Sequence, residues 1–193
     1  MKANLLTFNQ AEAALWISRA VKAAALCMVL WAVAWVSVGR LNDLREQIAA
    51  MPDTGKTTAE RMRELDCLTK NIYWEAGSEP FEGKVAVAQV TMNRVDSGRF
   101  GSGVCGVVHQ KNVVYEKVIC QFSWFCEGTH QVKAIHKPHW RESEEVAKKV
   151  LLEGFRLPSL KNALYYHADY VNPGWNKPKI DKVGRHIFYG DRS

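Results

Sequence analysis

An uncharged segment of 17 residues near the amino terminus divides the chain into two parts. It covers residues 23–39 and is bounded by Lys22 and Arg40. As a helix rising about 1.5 Å per residue it is about 26 Å long, close to the thickness of the hydrocarbon core of a bilayer. We therefore predict a membrane helix at residues 23–39, so a folded domain has to be built from the residues that follow it.

The flanks of this segment favour a signal anchor over a cleavable signal peptide. A cleavable peptide has a shorter apolar core and a small-residue exit of the A-x-A type, whereas residues 36–39 read VSVG. We expect a cytoplasmic segment at residues 1–22, the anchor, a polar linker at residues 40–63 and a folded domain at residues 64–193. The alternative is a buried helix of a soluble domain.

A carboxylate at the end of an apolar, aromatic helix is the strongest candidate for chemistry. Leu65, Leu68 and Ile72 are spaced three and four residues apart, as on the buried face of an amphipathic helix, and Glu75 continues this stripe. A carboxyl among apolar neighbours loses hydration, which raises its pKa and favours the protonated form. A protonated carboxyl at neutral pH can act as a general acid. The alternative is an exposed glutamate at a helix end.

The remaining periodicity predicts two more helices and two short strands. Residues 81–95 are apolar on nearly every side, which is typical of a helix in the centre of a domain. Another helix is expected at residues 140–152, with Gly154 at its carboxyl end. Short strands are expected at residues 163–166 and 187–189.

Five cysteines leave several pairings open. Cys27 lies in the apolar segment, and the other four form an even set that can pair in an oxidising compartment. We expect Cys105 to pair with Cys120 or Cys126. A bond between Cys27 and Cys67 would tie the Glu75 helix to the anchor as a redox latch, and the alternative for Cys67 is a buried thiol.

The charge of the chain bears on its partners. The net charge is +6, and the basic residues are spread along the chain without a basic tail. This favours an anionic partner, such as a membrane surface or an acidic cell-wall polymer. Since no nucleic-acid-binding motif is present, we expect no nucleic-acid partner. The Cys and His spacings do not match those of zinc sites, so we expect neither a metal nor another cofactor.

Several blocks occur in the order that is found in the SleB-type cell wall hydrolase family, which the chain resembles. They are IYWEAGSEPFEGKVAVAQVTMNRV at 72–95, VCGVV at 104–108, CQFSW at 120–124, ALYYHADYVNPGW at 163–175 and GRHIFY at 184–189. The blocks together span roughly residues 65–190. Their shared order makes the resemblance more specific than any one of them.

The resemblance implies an enzyme that acts on peptidoglycan glycan strands. Its fold is expected to be α+β, a mainly helical lysozyme/transglycosylase-like domain with a small β-hairpin, which makes residues 64–193 the catalytic domain. The catalytic acid of the family is the Glu of a Y-x-E-A block, which corresponds to Glu75. The family block often continues as E-A-R-G-E, whereas this chain reads EAGSE, so the partner of Glu79 stays open.

The expected reaction is cleavage of the bond between N-acetylmuramic acid and N-acetylglucosamine, with Glu75 protonating the bridging oxygen. A hydrolytic muramidase pairs such an acid with a second carboxylate, for which Glu79 and Glu82 are nearest in sequence. Without one, the 6-hydroxyl of the sugar attacks its own anomeric carbon while Glu75 acts as base. We prefer this lytic transglycosylase, because the resemblance implies a single essential Glu.

A further set of residues is expected to bind the glycan. Polar members donate hydrogen bonds to N-acetyl groups and to developing charge, and tryptophans stack on sugar faces. The set is Glu79, Gln121, Ser123, Trp124, Tyr166, His167 and Trp175. The alternative for each is ordinary packing or a satisfied polar group.

We expect the anchor to hold the catalytic domain in the periplasm. The arrangement resembles that of a bacteriophage lysis enzyme or of an enzyme that remodels the host envelope. Two other functions stay open. One is a stem-peptide amidase with a metal site, although no H-E-x-x-H spacing occurs. The other is a membrane protein that binds peptidoglycan without cleaving it, which the predicted burial of Glu75 disfavours.

Overall fold

The chain forms two compact units, residues 1–50 and 51–193, in a computed structural model that describes residues 4–49, 55–128 and 135–192. The described part of the first unit is helix α1, Asn4–Ala49. Within α1, Trp16–Gln47 has a hydropathy of 2.0 and is long and apolar enough to cross a membrane. The helix therefore extends past the predicted anchor at both ends and includes the first part of the predicted linker.

The second unit is mainly helical with two small sheets, which confirms the predicted fold class. Its helices are α2 Thr58–Ala76, α3 Phe81–Ser97, α4 Gly103–Val108, α5 Ser123–Glu127 and α6 Lys137–Leu151. Its strands are β1 Lys111–Val114, β2 Lys117–Cys120, β3 Tyr165–Ala168, β4 Lys179–Val183 and β5 His186–Tyr189, with a 3-10 turn at Pro158–Leu160.

Helix α2 begins at a capping box inside the segment that we interpreted as a linker. The hydroxyl of Thr57 accepts from the backbone N–H of Glu60 at 3.3 Å, and the Glu60 carboxylate accepts from the N–H of Thr57 at 2.7 Å. This reciprocal pair satisfies two donors at the helix start. Helix α2 is therefore longer than the sequence pattern predicted, because polar residues at a cap carry no apolar periodicity.

Helix α3 lies at the centre of the domain, as its own apolar residues predicted. It packs against α2, α4 and α6. Val85, Val87 and Val90 have no exposed surface. Each fully buried valine of this kind contributes about 1.5–3 kcal/mol relative to an exposed one. The helix is therefore a fixed support for α2 on one side and for a sheet on the other.

That sheet has the strand order β3-β5-β4 and is antiparallel. Tyr166 lies opposite Phe188, and Phe188 is fully buried in a cluster with Ala86 and Val90 of α3. Because side chains alternate along a strand, Tyr165 and His167, the neighbours of Tyr166 in β3, face away from α3. The sheet thus has one face against the helices and one outer face.

A second hairpin, β1–β2, was missed in the sequence. Its turn residues are Tyr115 and Glu116, with φ angles of 47° and 64°. Two-residue hairpin turns of this conformation usually carry Asn or Gly. Tyr-Glu gives no such signal, so the segment was not recognised as a hairpin.

The two disulfides correct the predicted pairing. Cys67 of α2 bonds to Cys105 of α4, and Cys120 bonds to Cys126. Cys105 therefore pairs with neither Cys120 nor Cys126, and Cys27 is free and exposed rather than bonded to Cys67. The reason is that α4 packs directly on α2, which brings the Cα atoms of Cys67 and Cys105 to 5.3 Å.

Candidate active site

Glu75 lies in the last turn of α2 and is half-buried. Tyr166 of β3 donates its hydroxyl to Oε2 of Glu75 at 3.0 Å. Burial raises the pKa of Glu75 above its ordinary value; the Tyr166 hydrogen bond and the Arg94 charge oppose that shift, and the Glu127 charge adds to it. The carboxyl end of a helix carries partial negative charge, which also favours the neutral carboxyl. The direction is the one that the sequence predicted.

The Tyr166 phenol keeps its proton at neutral pH. Burial, followed by the charge of Glu75, raises the pKa of Tyr166 well above its ordinary value. The ring lies edge-on to His186 at 5.3 Å between centroids and against the buried Phe188 at 5.7 Å. These contacts fix the phenol from below, so Tyr166 approaches Glu75 from a rigid strand.

Arg94 of α3 is a functional candidate that the sequence analysis missed. Only 3% of its surface is exposed, and Nε donates to the carbonyl of Leu164 at 2.8 Å. Its guanidinium carbon lies 5.1 Å from the ring centroid of Phe100 and 5.3 Å from that of Phe122. Burial lowers the pKa of Arg94, and the charges of Tyr166, Tyr165 and Glu75 oppose that shift. One signal was available, a basic residue within an apolar helix.

Aromatic side chains form a wall beside Glu75. Trp124 of α5 is 5% exposed and donates its indole N–H to Oδ1 of Asn71 at 3.2 Å. Its ring stacks on that of Trp74, with centroids 6.4 Å apart. Trp74 is half-buried, so it covers Trp124. Trp74, one residue before Glu75, is therefore more accessible than Trp124, and we had not selected it.

Gln121 and Ser123 lie where β2 leads into α5. The backbone N–H of Gln121 donates to the carbonyl of Gln110 at 2.9 Å, and its side chain is half-buried. Ser123 is exposed as the first residue of α5. Ser123 directly precedes Trp124 in the chain, and Gln121 lies three residues before it.

His167 and Trp175 are separated from Glu75 by the sheet. His167 follows Tyr166 in β3 and therefore faces the outer side, where its Nε2 lies 2.9 Å from the hydroxyl of Tyr189. Trp175 is 42% exposed and lies edge-on to Tyr165, His167 and Tyr189, with centroids 5.6–6.2 Å apart. Among the predicted binding residues, Tyr166 thus faces Glu75, whereas His167 and Trp175 lie on the other face of the sheet.

Glu79 contacts the protein backbone. It is 9% exposed, and its Oε2 accepts the backbone N–H of Arg185 at 3.0 Å. A Cβ atom added at Gly83 or Gly184 would collide with the Glu79 side chain, so both glycines permit its close approach. The partner of Glu79, which the sequence left open, is thus the β4–β5 turn. Glu82 is exposed in the first turn of α3.

The residues that the structure describes include no group of three or more His, Cys, Asp or Glu side chains placed to hold a metal ion. The chemistry available at Glu75 is proton transfer. A neutral carboxyl beside a phenol donor can give up a proton, and the same phenol stabilises the carboxylate that is left.

Comparisons with known proteins agree on one family. A family model described as Cell Wall Hydrolase matches residues 78–189, so Glu75 lies three positions before the matched range. The spore cortex-lytic enzyme of Oceanobacillus iheyensis is 30% identical over 157 residues, which is 79% of this chain and 50% of that protein. The enzyme of the same name from Bacillus subtilis is 28% identical over 129 residues, 65% of this chain and 37% of that protein. The chain thus spans half or less of these two relatives.

Two solved structures have the same fold. The catalytic domain of the germination-specific lytic transglycosylase SleB from Bacillus anthracis has a TM-score of 0.52 and 25% identity, and the match covers 72% of this chain and 99% of that one. The catalytic domain of the Bacillus cereus SleB protein has a TM-score of 0.51 and 25% identity, with 72% and 94% covered.

Proposed function

The chain belongs to the SleB-type cell wall hydrolase family, and on this basis we propose that it degrades peptidoglycan as a lytic transglycosylase. The bond cleaved is the glycosidic link between N-acetylmuramic acid and N-acetylglucosamine. The observation that carries the proposal is the half-buried Glu75 with its raised pKa and its hydrogen bond from Tyr166 at 3.0 Å. The names of the relatives, cortex-lytic enzyme and lytic transglycosylase, support the same reaction class.

The reaction runs in two proton transfers through one carboxyl. Glu75 first gives its proton to the bridging oxygen, the bond to the anomeric carbon breaks, and positive charge develops on the muramic acid ring. The 6-hydroxyl of the same sugar then attacks the anomeric carbon and returns its proton to Glu75. The product is a 1,6-anhydro sugar, no water is consumed, and the enzyme regains its starting protonation state.

The main contribution of Tyr166 is to stabilise the Glu75 carboxylate that exists between the two proton transfers. The carboxylate formed in the first transfer is half-buried and loses the hydration that would stabilise it in water. The Tyr166 hydroxyl supplies one charge-assisted hydrogen bond at that moment, worth about 1.5–3 kcal/mol. Its raised pKa keeps the phenol protonated, so that Tyr166 does not compete with Glu75 for the proton.

A hydrolytic muramidase is the second candidate, because such an enzyme needs a second carboxylate and the charge of Glu127 affects the pKa of Glu75. The negative charge of Glu127, at the end of α5, contributes to the raised pKa of Glu75. Glu127 is exposed, so it is able to hold a water molecule. Glu79 is engaged with the backbone of Arg185, and Glu82 starts α3, so neither has a comparable relation to Glu75.

Gln121, Ser123 and Trp74 are the side chains that we propose for sugar contact near Glu75. Ser123 is exposed, and Gln121 and Trp74 are half-buried. Trp124 supports Trp74 from beneath. His167 and Trp175 lie on the outer face of the sheet, so a sugar bound there would be a different unit of the glycan from the one at Glu75.

We also propose that α1 anchors the enzyme in the membrane with its catalytic domain in the periplasm, in phage lysis or in envelope remodelling. The part of α1 at Trp16–Gln47, which is long and apolar enough to cross a membrane, supports the anchor. The two disulfides support an oxidising compartment, because such bonds are rare in a reducing cytosol.

Digestion of purified sacculi followed by mass spectrometry of the released muropeptides tests the proposal. The wild-type chain is expected to release products with 1,6-anhydro ends, Glu75→Gln to release none, and Glu82→Gln to act like the wild type. Reducing ends alone would indicate a muramidase. Free stem peptides would indicate an amidase, and binding without release would indicate a non-catalytic protein.

A further inference from the structure

Arg94 carries a buried charge that the proposed reaction has not yet used. Its Nε binds the Leu164 carbonyl, and two phenylalanine rings flank the guanidinium. Its Nη1 is buried, and within the described part of the chain it has no hydrogen-bond partner. A buried cation without full pairing is costly, and an apolar side chain would fill the same space at lower cost. The position therefore requires an explanation beyond packing.

The surroundings of Arg94 join it to Glu75. Tyr166 donates its hydroxyl to Glu75 at 3.0 Å and lies two residues after Leu164, whose carbonyl binds Arg94. The positive charge of Arg94 opposes the rise in the pKa of Glu75. The Leu164 carbonyl that Arg94 holds is one residue before β3, the strand that carries Tyr166. The other ionisable groups that face Glu75, Arg94 or Tyr166 are Tyr165, Glu127 and His186. Of these groups, Arg94 is the one that is cationic throughout the range in which Glu75 titrates.

We infer that Arg94 is a positioning residue whose buried positive charge stabilises the ionised form of Glu75 between the two proton transfers. The inference rests on the proposed function, because it assigns Arg94 a role in that reaction. When Glu75 gives its proton to the bridging oxygen, the summed charge of the Arg94 and Glu75 side chains changes from +1 to zero. When the 6-hydroxyl returns a proton, the site returns to its starting charge, and Arg94 keeps its own protons throughout.

This role makes one carboxyl usable both as acid and as base. Burial alone would keep Glu75 protonated and would make its conjugate base too unstable to form. A fixed cation that hydrogen-bonds the backbone lowers the cost of the carboxylate without supplying a competing proton. Arg94 sits on α3, the most buried helix of the domain, so its charge is held in place before the reaction starts.

The test uses the full-length chain in detergent micelles with purified sacculi as substrate. Arg94→Met removes the charge at similar length, Arg94→Gln removes it but keeps a donor for Leu164, and Arg94→Lys retains the charge. Arg156→Met is the matched control, because Nη1 of the half-buried Arg156 also binds a backbone carbonyl, that of Val150 at 2.6 Å.

Two readouts separate a charge role from a structural one. The first is the pH profile of kcat/KM, whose alkaline limb follows loss of the acid form of Glu75. The second is the infrared C=O stretch of the protonated Glu75 carboxyl, which can be followed as a function of pH without substrate. The band is assigned by its absence in Glu75→Gln. Removing the charge is expected to raise the pKa of Glu75 further. The alkaline limb and the midpoint of the infrared titration should therefore both move to higher pH by roughly one unit, and kcat should fall about tenfold.

Arg94→Lys and Arg156→Met are expected to keep the wild-type limb, whatever their folded yield. An unshifted infrared titration in Arg94→Met or Arg94→Gln would overturn the inference. If both neutral variants are recovered unfolded, a shifted limb in folded Arg94→Lys would overturn it as well. A wild-type chain that releases no glycan product would instead overturn the proposed function, and the infrared titration would still test the coupling of Arg94 to Glu75.

Discussion

Two glutamates four residues apart, Glu75 at the end of α2 and Glu79 in the following turn, have opposite surroundings. Glu75 receives one hydrogen bond, from the side chain of Tyr166, and burial raises its pKa. Glu79 receives a backbone N–H of the β4–β5 turn and packs against two glycines. Glu79 is thus bound to the backbone of another segment, whereas Glu75 receives its hydrogen bond from a side chain.

The difference in contacts supports a different proposed role for each of the two carboxylates. The contacts of Glu79 connect the start of α3 to the sheet, so they serve the fold on which Glu75 depends. The contacts of Glu75 leave its Oε1 without a hydrogen bond described within the chain, while Oε2 is held by Tyr166. We therefore propose a chemical role for Glu75 and a structural role for Glu79, and the two proposals can be separated experimentally.

The largest effect is expected for Glu75→Gln on activity. Loss of the general acid should lower kcat by about 10²–10⁴-fold, because the amide cannot transfer a proton. The folded state should be retained, since glutamine keeps the size of the side chain and an acceptor for Tyr166. Sacculus turbidity and circular dichroism measure the two quantities. Residual activity within a few fold of the wild type would remove Glu75 from the mechanism.

Glu79→Ala is expected to show the reverse pattern. It removes the carboxylate that accepts the backbone N–H of Arg185, a hydrogen bond to a charged group, which should lower the free energy of unfolding by about 1.5–3 kcal/mol. Activity per folded molecule should stay near that of the wild type. Thermal unfolding combined with active-fraction measurement checks this expectation, and Glu82→Ala, at an exposed position nearby, is the control. A folded Glu79→Ala without activity would make Glu79 a second reacting carboxylate.

Tyr166→Phe tests the contact that distinguishes Glu75 from Glu79. The variant keeps the ring and its packing on Phe188 but removes the hydrogen bond that lowers the pKa of Glu75. We expect kcat to fall about tenfold, from loss of a hydrogen bond to a charged group. The alkaline limb of the pH profile should move to higher pH. A limb that moves to lower pH would contradict the assigned direction.

A smaller effect is expected on stability as a function of pH. The folded pKa of Glu75 is raised, so its stabilising contribution is fully present below the unfolded pKa and is lost as pH rises through the folded pKa. Glu75→Gln, which stays neutral, should therefore gain thermal stability relative to the wild type at mildly alkaline pH and not at acidic pH. Equal differences at both pH values would show that Glu75 is not held in its neutral form.

Local sequence patterns were sufficient for the elements that carry the reaction. The apolar stripe through Ile72 identified the helix and the carboxyl on it, and the apolar run at residues 81–95 identified the central helix. Each of these rests on contacts within one helix or on simple burial. The family resemblance added the reaction class, because several blocks in fixed order cannot be explained by composition.

Features that depend on contacts distant in sequence were not accessible in the same way. The Cys67–Cys105 bond depends on α4 packing on α2, which no local pattern indicates. Arg94 became a candidate only when its burial and its bond to the Leu164 carbonyl next to β3 were known. The opposite orientation of Tyr166 and His167 follows from strand alternation, but the predicted strand ended at residue 166 and so excluded His167.

Digestion of sacculi in water enriched in oxygen-18 tests most directly whether Glu75 serves as both acid and base. In the proposed reaction the attacking oxygen comes from the sugar, so the new ends should be 1,6-anhydro and free of label. A hydrolase with a second carboxylate would instead place one labelled oxygen at every new reducing end. Labelled ends in the wild-type digest would contradict the account.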